Sequence, residues 1–395
     1  MNTSLNFIFL NDTLTANGDG LFGTSGPFFN YIQKENFQYS LSGTIKDGCK
    51  NILPIEISKG GMGIKEIPNE IFDFVNTNDI KLLIINLADP TAKNQYIQCL
   101  NYLKDRHLDF DKLIYVDSNL QLSKLKTNFT NKIYTFNYFI EEATWTKDGF
   151  YDTNNDLGYV SKHIEVSELD NFRSKKFLCF NRNIDRAHRF VLLYEYIKGV
   201  FHNSYFSFLR PIDYFKENQH FIENYNQTIL TEEDIDFYNQ KLPIELDTQN
   251  TEKKHGFSVT NTLKKDLFLD SCIHLVTETK YIDNELFLSE KILKPILGYQ
   301  PFIVFGPHGY LKELKKYGFK TFSDIWDESY DDIKDPVERM KSLISLVKQL
   351  NNKSIEELND IYRSTKEICI HNRDLFYSLE LDTLKVIFEE IQNEW

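Results

Sequence analysis

The sequence predicts an α/β protein of two tandem domains that repeat one architecture, followed by a helical tail. Three observations carry this. Short apolar runs suited to strands buried on both faces alternate with segments of helical period in both halves of the chain. The length, 395 residues, is long for one core and fits two domains of roughly 100 to 200 residues each. From Val337 to Trp395 only helical periodicity remains. Strand and helix in alternation build doubly wound, Rossmann-like sheets, and two such domains facing one another across a cleft would bring their strand C-terminal ends, where open α/β sheets bind ligands, to that cleft. The expected bounds are 1–165 for the first domain, 170–345 for the second with a polar, Asn-rich insertion at about 211–262, and 346–395 for the C-terminal helices.

In the first half, Phe7 to Leu10 reads as a buried strand, followed by a turn rich in glycine (Gly18, Gly20, Gly23, Gly26) and a helix from near Pro27. Lys81 to Leu87 is a strand, Asp89-Pro90 breaks it, and Asn94 to Leu103 carries helical spacing through Tyr96, Cys99, Leu100 and Leu103. Lys112 to Val116 is the next strand, closing a right-handed β-α-β unit. Asn131 to Phe139 adds another, and the polar stretch Thr144 to Leu157 serves as a linker. The second half restarts with strand Lys175 to Phe180, a polar turn at Asn181 to Asp185, and helix Arg186 to Ile197. Strand Ile273 to Val276, helix Ser289 to Leu297, strand Pro301 to Phe305 and helix Gly309 to Tyr317 complete it.

Composition narrows the function. Hydrophobic residues at 41% and charged residues at 26% are those of a folded chain and exclude disorder as its main theme. With 45 Lys and Arg against 58 Asp and Glu, the net charge of −13 repels polyanions, so nucleic acid is disfavoured as a partner unless a local groove is basic. Five cysteines, odd in number and without a C-x-x-C pair, fit buried thiols in a reducing compartment. The N-terminal apolar run is too short for a signal peptide and no run reaches 18 apolar residues, so the expected location is the cytoplasm, with no membrane span.

Two clusters could carry chemistry. Asn181 to Arg189 lies where a strand hands over to a helix, and Arg182, Arg186 and Arg189 there would suit a phosphate. Arg186 and Arg189, one turn apart, could equally pair with Asp185 and Glu195; Arg182, in the turn, is the least easily explained that way. The second cluster runs Thr277-Glu278-Thr279-Lys280, then Ser289-Glu290-Lys291 and Lys294-Pro295, and ends at Gln300-Pro301-Phe302-Ile303-Val304-Phe305-Gly306. Ser289 suits a helix N-cap, which places Glu290 and Lys291 in the first turn. The carboxylate could accept two ribose hydroxyls and the ammonium could neutralise a diphosphate, although an acidic residue in a first turn is also explained by the helix dipole. Pro295 must make this helix short or irregular.

The run T-E-x-K, then S-E-K, then P-F-I-V-F-G resembles the donor-binding motif of the α1,3-fucosyltransferase family. The segments Glu290 to Ile296, Gly318 to Phe322 and Asp327 to Tyr330 are also similar to predicted glycosyltransferases of large phages and viruses. The resemblance spans roughly 175–345 and does not extend into the first 170 residues. It implies a GT-B fold with a nucleotide diphosphate sugar in the C-terminal domain and an acceptor in the N-terminal one. It further implies that Glu290 holds the ribose, Lys291 and Arg182 the diphosphate, and Glu278 the sugar or ribose region, with Lys294 close by. Thr279 stands where fucosyltransferases usually carry Asn, and Lys294-Pro295 replaces a more regular helix, so the donor base and sugar are left open.

The expected function is therefore transfer of a sugar from a nucleotide diphosphate donor to a hydroxyl acceptor, a glycan, a protein or a modified nucleobase, inverting and without a metal. A nucleotide-sugar epimerase and a non-catalytic nucleotide-sugar-binding protein are the competing readings. An inverting transfer needs a base, and Asp12, Asp117, Glu141 and Glu142 at the N-terminal strand ends are candidates among which the sequence does not choose. Asp109-Phe110-Asp111 and Asp234-Ile235-Asp236 match the D-x-D of metal-dependent transferases, but such tripeptides arise freely among 58 acidic residues and are assigned to solvent. Neither H-E-x-x-H nor a P-loop signature occurs, and no cofactor is expected beyond the donor substrate.

Overall fold

The computed structural model describes residues 5–8, 39–57, 62–86, 90–138, 140–141, 164–181, 184, 186–209, 219–226, 231–246, 265–282, 285–381 and 383–394. The chain divides into two compact units, Met1–Trp145 with Asp283–Phe287 and Glu380–Trp395, and Thr146–Ile282 with Leu288–Leu379.

The first unit holds a six-stranded sheet, β1 (Leu5–Ile8), β2 (Tyr39–Ser42), β3 (Lys50–Glu56), β4 (Ile80–Asn86), β5 (Leu113–Asp117) and β6 (Lys132–Thr135). Its order is β2-β1-β3-β4-β5-β6 and every pairing is parallel. Helices α1 (Asn69–Thr77) and α2 (Lys93–Asp105) pack on one face. The strand period of two decides which side chains meet them. Leu82 and Ile84 of β4 join Phe72, Val75, Tyr96 and Leu100 in one core, whereas Leu83 and Ile85 join Leu5, Phe7, Ile114 and Val116 in another on the opposite face. That is why Leu82 to Ile85 of β4 read as an unbroken apolar run. Strand β3 escapes sequence reading because Pro54 sits inside it. Its pairing with β1 ends at Ile52, so the proline, which lacks an N–H, lies beyond that ladder.

The second unit holds β7 (Lys175–Asn181), β8 (Tyr205–Phe208), β9 (Ser271–Thr277) and β10 (Phe302–Phe305), all parallel, in the order β10-β9-β7-β8. Helix α3 (Ala187–Ile197) follows β7. In the region expected as an insertion lie α4 (Gln219–Asn226) and α5 (Glu232–Asn239), and α6 (Lys265–Asp270) leads into β9. The segment after Ser289 is a 3₁₀ turn, Glu290–Ile292, continued by the single-turn helix α7 (Leu293–Leu297), the short irregular form that Pro295 imposes. Helix α8 (Tyr310–Lys316) follows β10, and α9 (Pro336–Asn351) and α10 (Ile355–Ser378) complete the unit. Both sheets place their first strand between the second and the third, β1 between β2 and β3, β7 between β8 and β9. Each therefore has a topological switch point at the carboxyl ends of those strands.

The helices expected as one tail at 346–395 are divided. Helices α9 and α10 belong to the second unit, but α11 (Thr383–Glu394) belongs to the first. Its buried Ile387, Phe388 and Ile391 cover the face of the first sheet that α1 and α2 leave open, with Phe388 edge-on to Phe7 at 6.0 Å. A sheet buried on both faces needs such cover, and among the described residues α11 supplies it here. Among the described residues no helix is long and apolar enough to cross a membrane.

Candidate functional site

The site is built at the switch point of the second sheet, beyond the carboxyl ends of β7, β9 and β10. Asn181 ends β7, and its Oδ1 accepts a 2.7 Å hydrogen bond from the hydroxyl of Thr277, which ends β9. The two strand ends are thereby fixed together at the mouth of the switch. Glu278, the next residue, is fully buried, and its carboxylate is saturated. Oε1 accepts from the Tyr310 hydroxyl at 2.5 Å and from Ser289 N at 3.4 Å; Oε2 accepts from the Ser289 hydroxyl at 2.6 Å and from Thr279 N at 3.2 Å. Burial, and then the Glu278 charge, push the Tyr310 phenol well above its ordinary range, so it remains a proton donor.

Ser289 also caps the 3₁₀ turn, its oxygen accepting from Lys291 N at 3.3 Å. The Lys291 ammonium lies 2.8 Å from Glu290 Oε1, 3.1 Å from Thr279 Oγ1 and 3.4 Å from Ser289 Oγ. Burial raises the Glu290 carboxyl, but the charge and hydrogen bond of Lys291 outweigh it and hold the group below its usual value. Both side chains keep some access to solvent, 15% for Glu290 and 27% for Lys291. Lys294 reaches back over the Phe180 ring at 5.4 Å.

The arginines at the start of α3 are turned onto the protein's own backbone. Arg186 Nη1 donates to Thr279 O at 2.8 Å, and Arg189, buried, donates through Nη2 to Thr277 O at 3.2 Å and Glu278 O at 3.1 Å. His188, within the same Asn181 to Arg189 cluster, adds a third brace, with Nε2 at 2.9 Å from Glu278 O. Burial and then the neighbouring Arg189 push its pKa well down. A neutral ring facing a carbonyl must carry its proton on Nε2, which fixes the tautomer. The ring stacks on Tyr281 at 5.0 Å, and the Arg339 guanidinium lies over the same Tyr281 ring at 4.6 Å. Arg182, like Asp12 and Glu142, lies outside the described residues, as does the turn from Gly18 to Gly26.

The remaining motif segments bind one another. Glu328 accepts from the Thr321 hydroxyl at 2.6 Å and Phe322 N at 2.7 Å, tying Asp327 to Tyr330 onto Gly318 to Phe322. Gly318 is there because the chain leaves α8 at φ +88°. The Asp331 carboxylate accepts from Leu311 N and Lys312 N, so the start of α8 already holds an anion supplied by the protein.

In the first unit, Asp117 ends β5 and is fully buried. Its oxygens accept from Thr91 N, Thr91 Oγ1, Asn86 Nδ2 and Asn119 N, so the carboxylate pins the connections that follow β4 and β5. Burial raises its pKa to about 7 against the lowering effect of those four donors. Glu141 is likewise fully buried. Asp109 caps a 3₁₀ turn by accepting from Asp111 N at 3.1 Å, and Asp234 closes a capping box with Thr231.

No family model matches the sequence, and no curated protein matches it. Among solved structures, the chain is similar to the catalytic domain of starch synthase IV from Arabidopsis thaliana bound to ADP and acarbose, at 9% identity and a TM-score of 0.37, over 90% of this chain and 78% of that one.

Proposed function

We propose that the protein is a GT-B-like glycosyltransferase that binds a nucleotide diphosphate sugar on its second unit and passes the sugar to a hydroxyl acceptor, without a metal ion. The observation that supports this most is the pairing of Glu290 and Lys291 at the switch point, solvent-accessible and fixed by Ser289 and Thr279. In this reading the carboxylate, held ionised by its neighbour, accepts the ribose hydroxyls, while the Lys291 ammonium and Arg182 offset the charge of the departing diphosphate. Arg186 and Arg189 shape the Thr277–Thr279 backbone and do not bind the phosphates. The proton of the acceptor hydroxyl goes to a carboxylate sought among Asp12, Glu141, Glu142 and Asp117, the last already committed to four donors.

A thermal-shift panel of guanosine, uridine, adenosine, cytidine and thymidine diphosphates tests the donor assignment. One of them at a hundredfold excess over its dissociation constant is expected to stabilise the protein by about 2.7 kcal/mol, and free sugars are not. A flat response to all five ends the assignment.

A further inference from the structure

Glu278 was expected to touch the sugar or ribose. The geometry points to a different role, resting on the donor reading above: we infer that Glu278 is a positioning residue, the buried member of a Tyr310–Glu278–Ser289 clamp that sets the Lys291 ammonium for the donor diphosphate. All four acceptor contacts of its carboxylate are made inside the protein, with Tyr310, Ser289 and Thr279, and none of its surface is exposed. Three stretches of chain distant in sequence meet on it. Thr279 extends from β9, Ser289 opens the turn that carries Lys291, and Tyr310 begins the helix after β10.

The connection to Lys291 runs through Ser289. With its proton committed to Glu278 Oε2, the Ser289 oxygen presents its lone pairs to Lys291 N at 3.3 Å and to Lys291 Nζ at 3.4 Å. Glu278 also orders Thr279 N, and the Thr279 hydroxyl is 3.1 Å from the same ammonium. Two of the three contacts that place Nζ thus lead back to one buried carboxylate. Tyr310 is the part of the clamp that can be altered most gently, because removing its hydroxyl leaves a buried ring of unchanged shape.

The test is Tyr310→Phe, with Tyr330→Phe as a control of equal size on a buried tyrosine that does not touch Glu278. Two measurements are made. The first is the affinity for each of the five nucleoside diphosphates and for the matching nucleosides. The second, without ligand, is the acetylation rate of Lys291 relative to Lys294 on the same peptide, read by mass spectrometry. Tyr310→Phe is expected to weaken diphosphate binding about tenfold, to leave nucleoside binding unchanged, and to speed acetylation of Lys291 severalfold, whereas Tyr330→Phe changes none of these. Equal weakening of nucleoside and diphosphate overturns the inference, as does a Lys291 acetylation rate identical to that of the wild type. If no diphosphate binds the wild type but Lys291 still responds to Tyr310→Phe, the clamp stands and the donor reading falls.

Discussion

Lys291 Nζ lies 2.8 Å from Glu290 Oε1, and the lysine is the more exposed of the two. An ammonium beside a carboxylate retains only part of its capacity for an external anion, so its contribution to diphosphate binding is that of one charge-assisted contact. Lys291→Ala is expected to weaken nucleoside diphosphate binding by about 1.5 to 3 kcal/mol relative to the nucleoside. Calorimetric titration of both ligands checks it, and equal losses would indicate a folding defect. Glu290→Gln acts on the other end. It removes the anion but keeps the shape, so the disadvantage of a 2′-deoxyribonucleotide against the ribonucleotide should shrink.

The second unit should lose stability in acid through its buried histidines. His274 stacks on Phe268 at 5.4 Å, and Nδ1 is 3.2 Å from Gln300 Oε1. Burial lowers its pKa to about 3, the Gln300 bond opposing and Lys294 assisting; His188 is also lowered well below its ordinary value, first by burial. Each binds a proton when unfolded and not when folded, so the stability they contribute is complete above the unfolded pKa of about 6.5 and is lost as pH falls below it. The slope is about 1.4 kcal/mol per pH unit per histidine. Asp117 works in the opposite sense in the first unit. Raised to about 7 by burial, it favours the fold at low pH and loses that advantage as pH rises from about 4 to 7. His274→Gln should therefore flatten the acid limb, measured by denaturation between pH 7.5 and 5. An unchanged limb would mean that His274 protonates without cost.

Gly298 ends α7 against the ring of Phe268. A Cβ there would lie 2.2 Å from Cδ1 and 2.8 Å from Cε1 of Phe268, which is itself fully buried among Phe180 and His274. The ring has nowhere to retreat. Gly298→Ala should cost about 1 to 3 kcal/mol by overpacking, and the double variant with Phe268→Leu should recover part of it, because the two changes share one space. Strict additivity of the two losses in urea unfolding would refute the steric account.

How far the sequence revealed these features depends on where the signal lies. Leu82 to Ile85 of β4 and Phe177 to Phe180 of β7 are continuous apolar runs, so both strands were readable. β3 contains Pro54, and β2 (Tyr39–Ser42) and β8 (Tyr205–Phe208) are short and interrupted by serine, so neither offers the apolar run that marks the equally short β10. α11 was readable as a helix but not as part of the first unit, since the residues it covers, from Leu5 to Tyr138, lie far away in sequence. The Glu290–Lys291 pair was legible from the N-cap at Ser289. Tyr310 was not: a tyrosine after Gly309 carries no local mark of the Glu278 carboxylate that it meets. The arginines of α3 stand out in sequence because charge is visible there, whereas the carbonyls of Thr277, Glu278 and Thr279 that engage Arg186 and Arg189 are common to every residue.

Transfer or donor hydrolysis, once measured, should survive chelation by EDTA. In the proposed reaction the leaving diphosphate is met by Lys291 and Arg182, cations that remove the need for a divalent ion at the same position. A metal-dependent transferase would instead hold its ion on carboxylates and stop when the ion is removed. The D-x-D tripeptides that would serve such an ion have other engagements here. Asp109 caps the turn before β5 through Asp111 N, and Asp234 accepts from Thr231 N and Oγ1. Turnover is therefore measured with and without EDTA, and in the double variant Asp109→Asn with Asp111→Asn. Asn keeps the capping ability of Asp at position 109, so stability should change by less than about 1 kcal/mol and turnover should be retained in both arms. Loss of turnover in both, with the fold intact, would overturn the reading in which Lys291 and Arg182 carry the leaving group and would put the metal-dependent mechanism in its place.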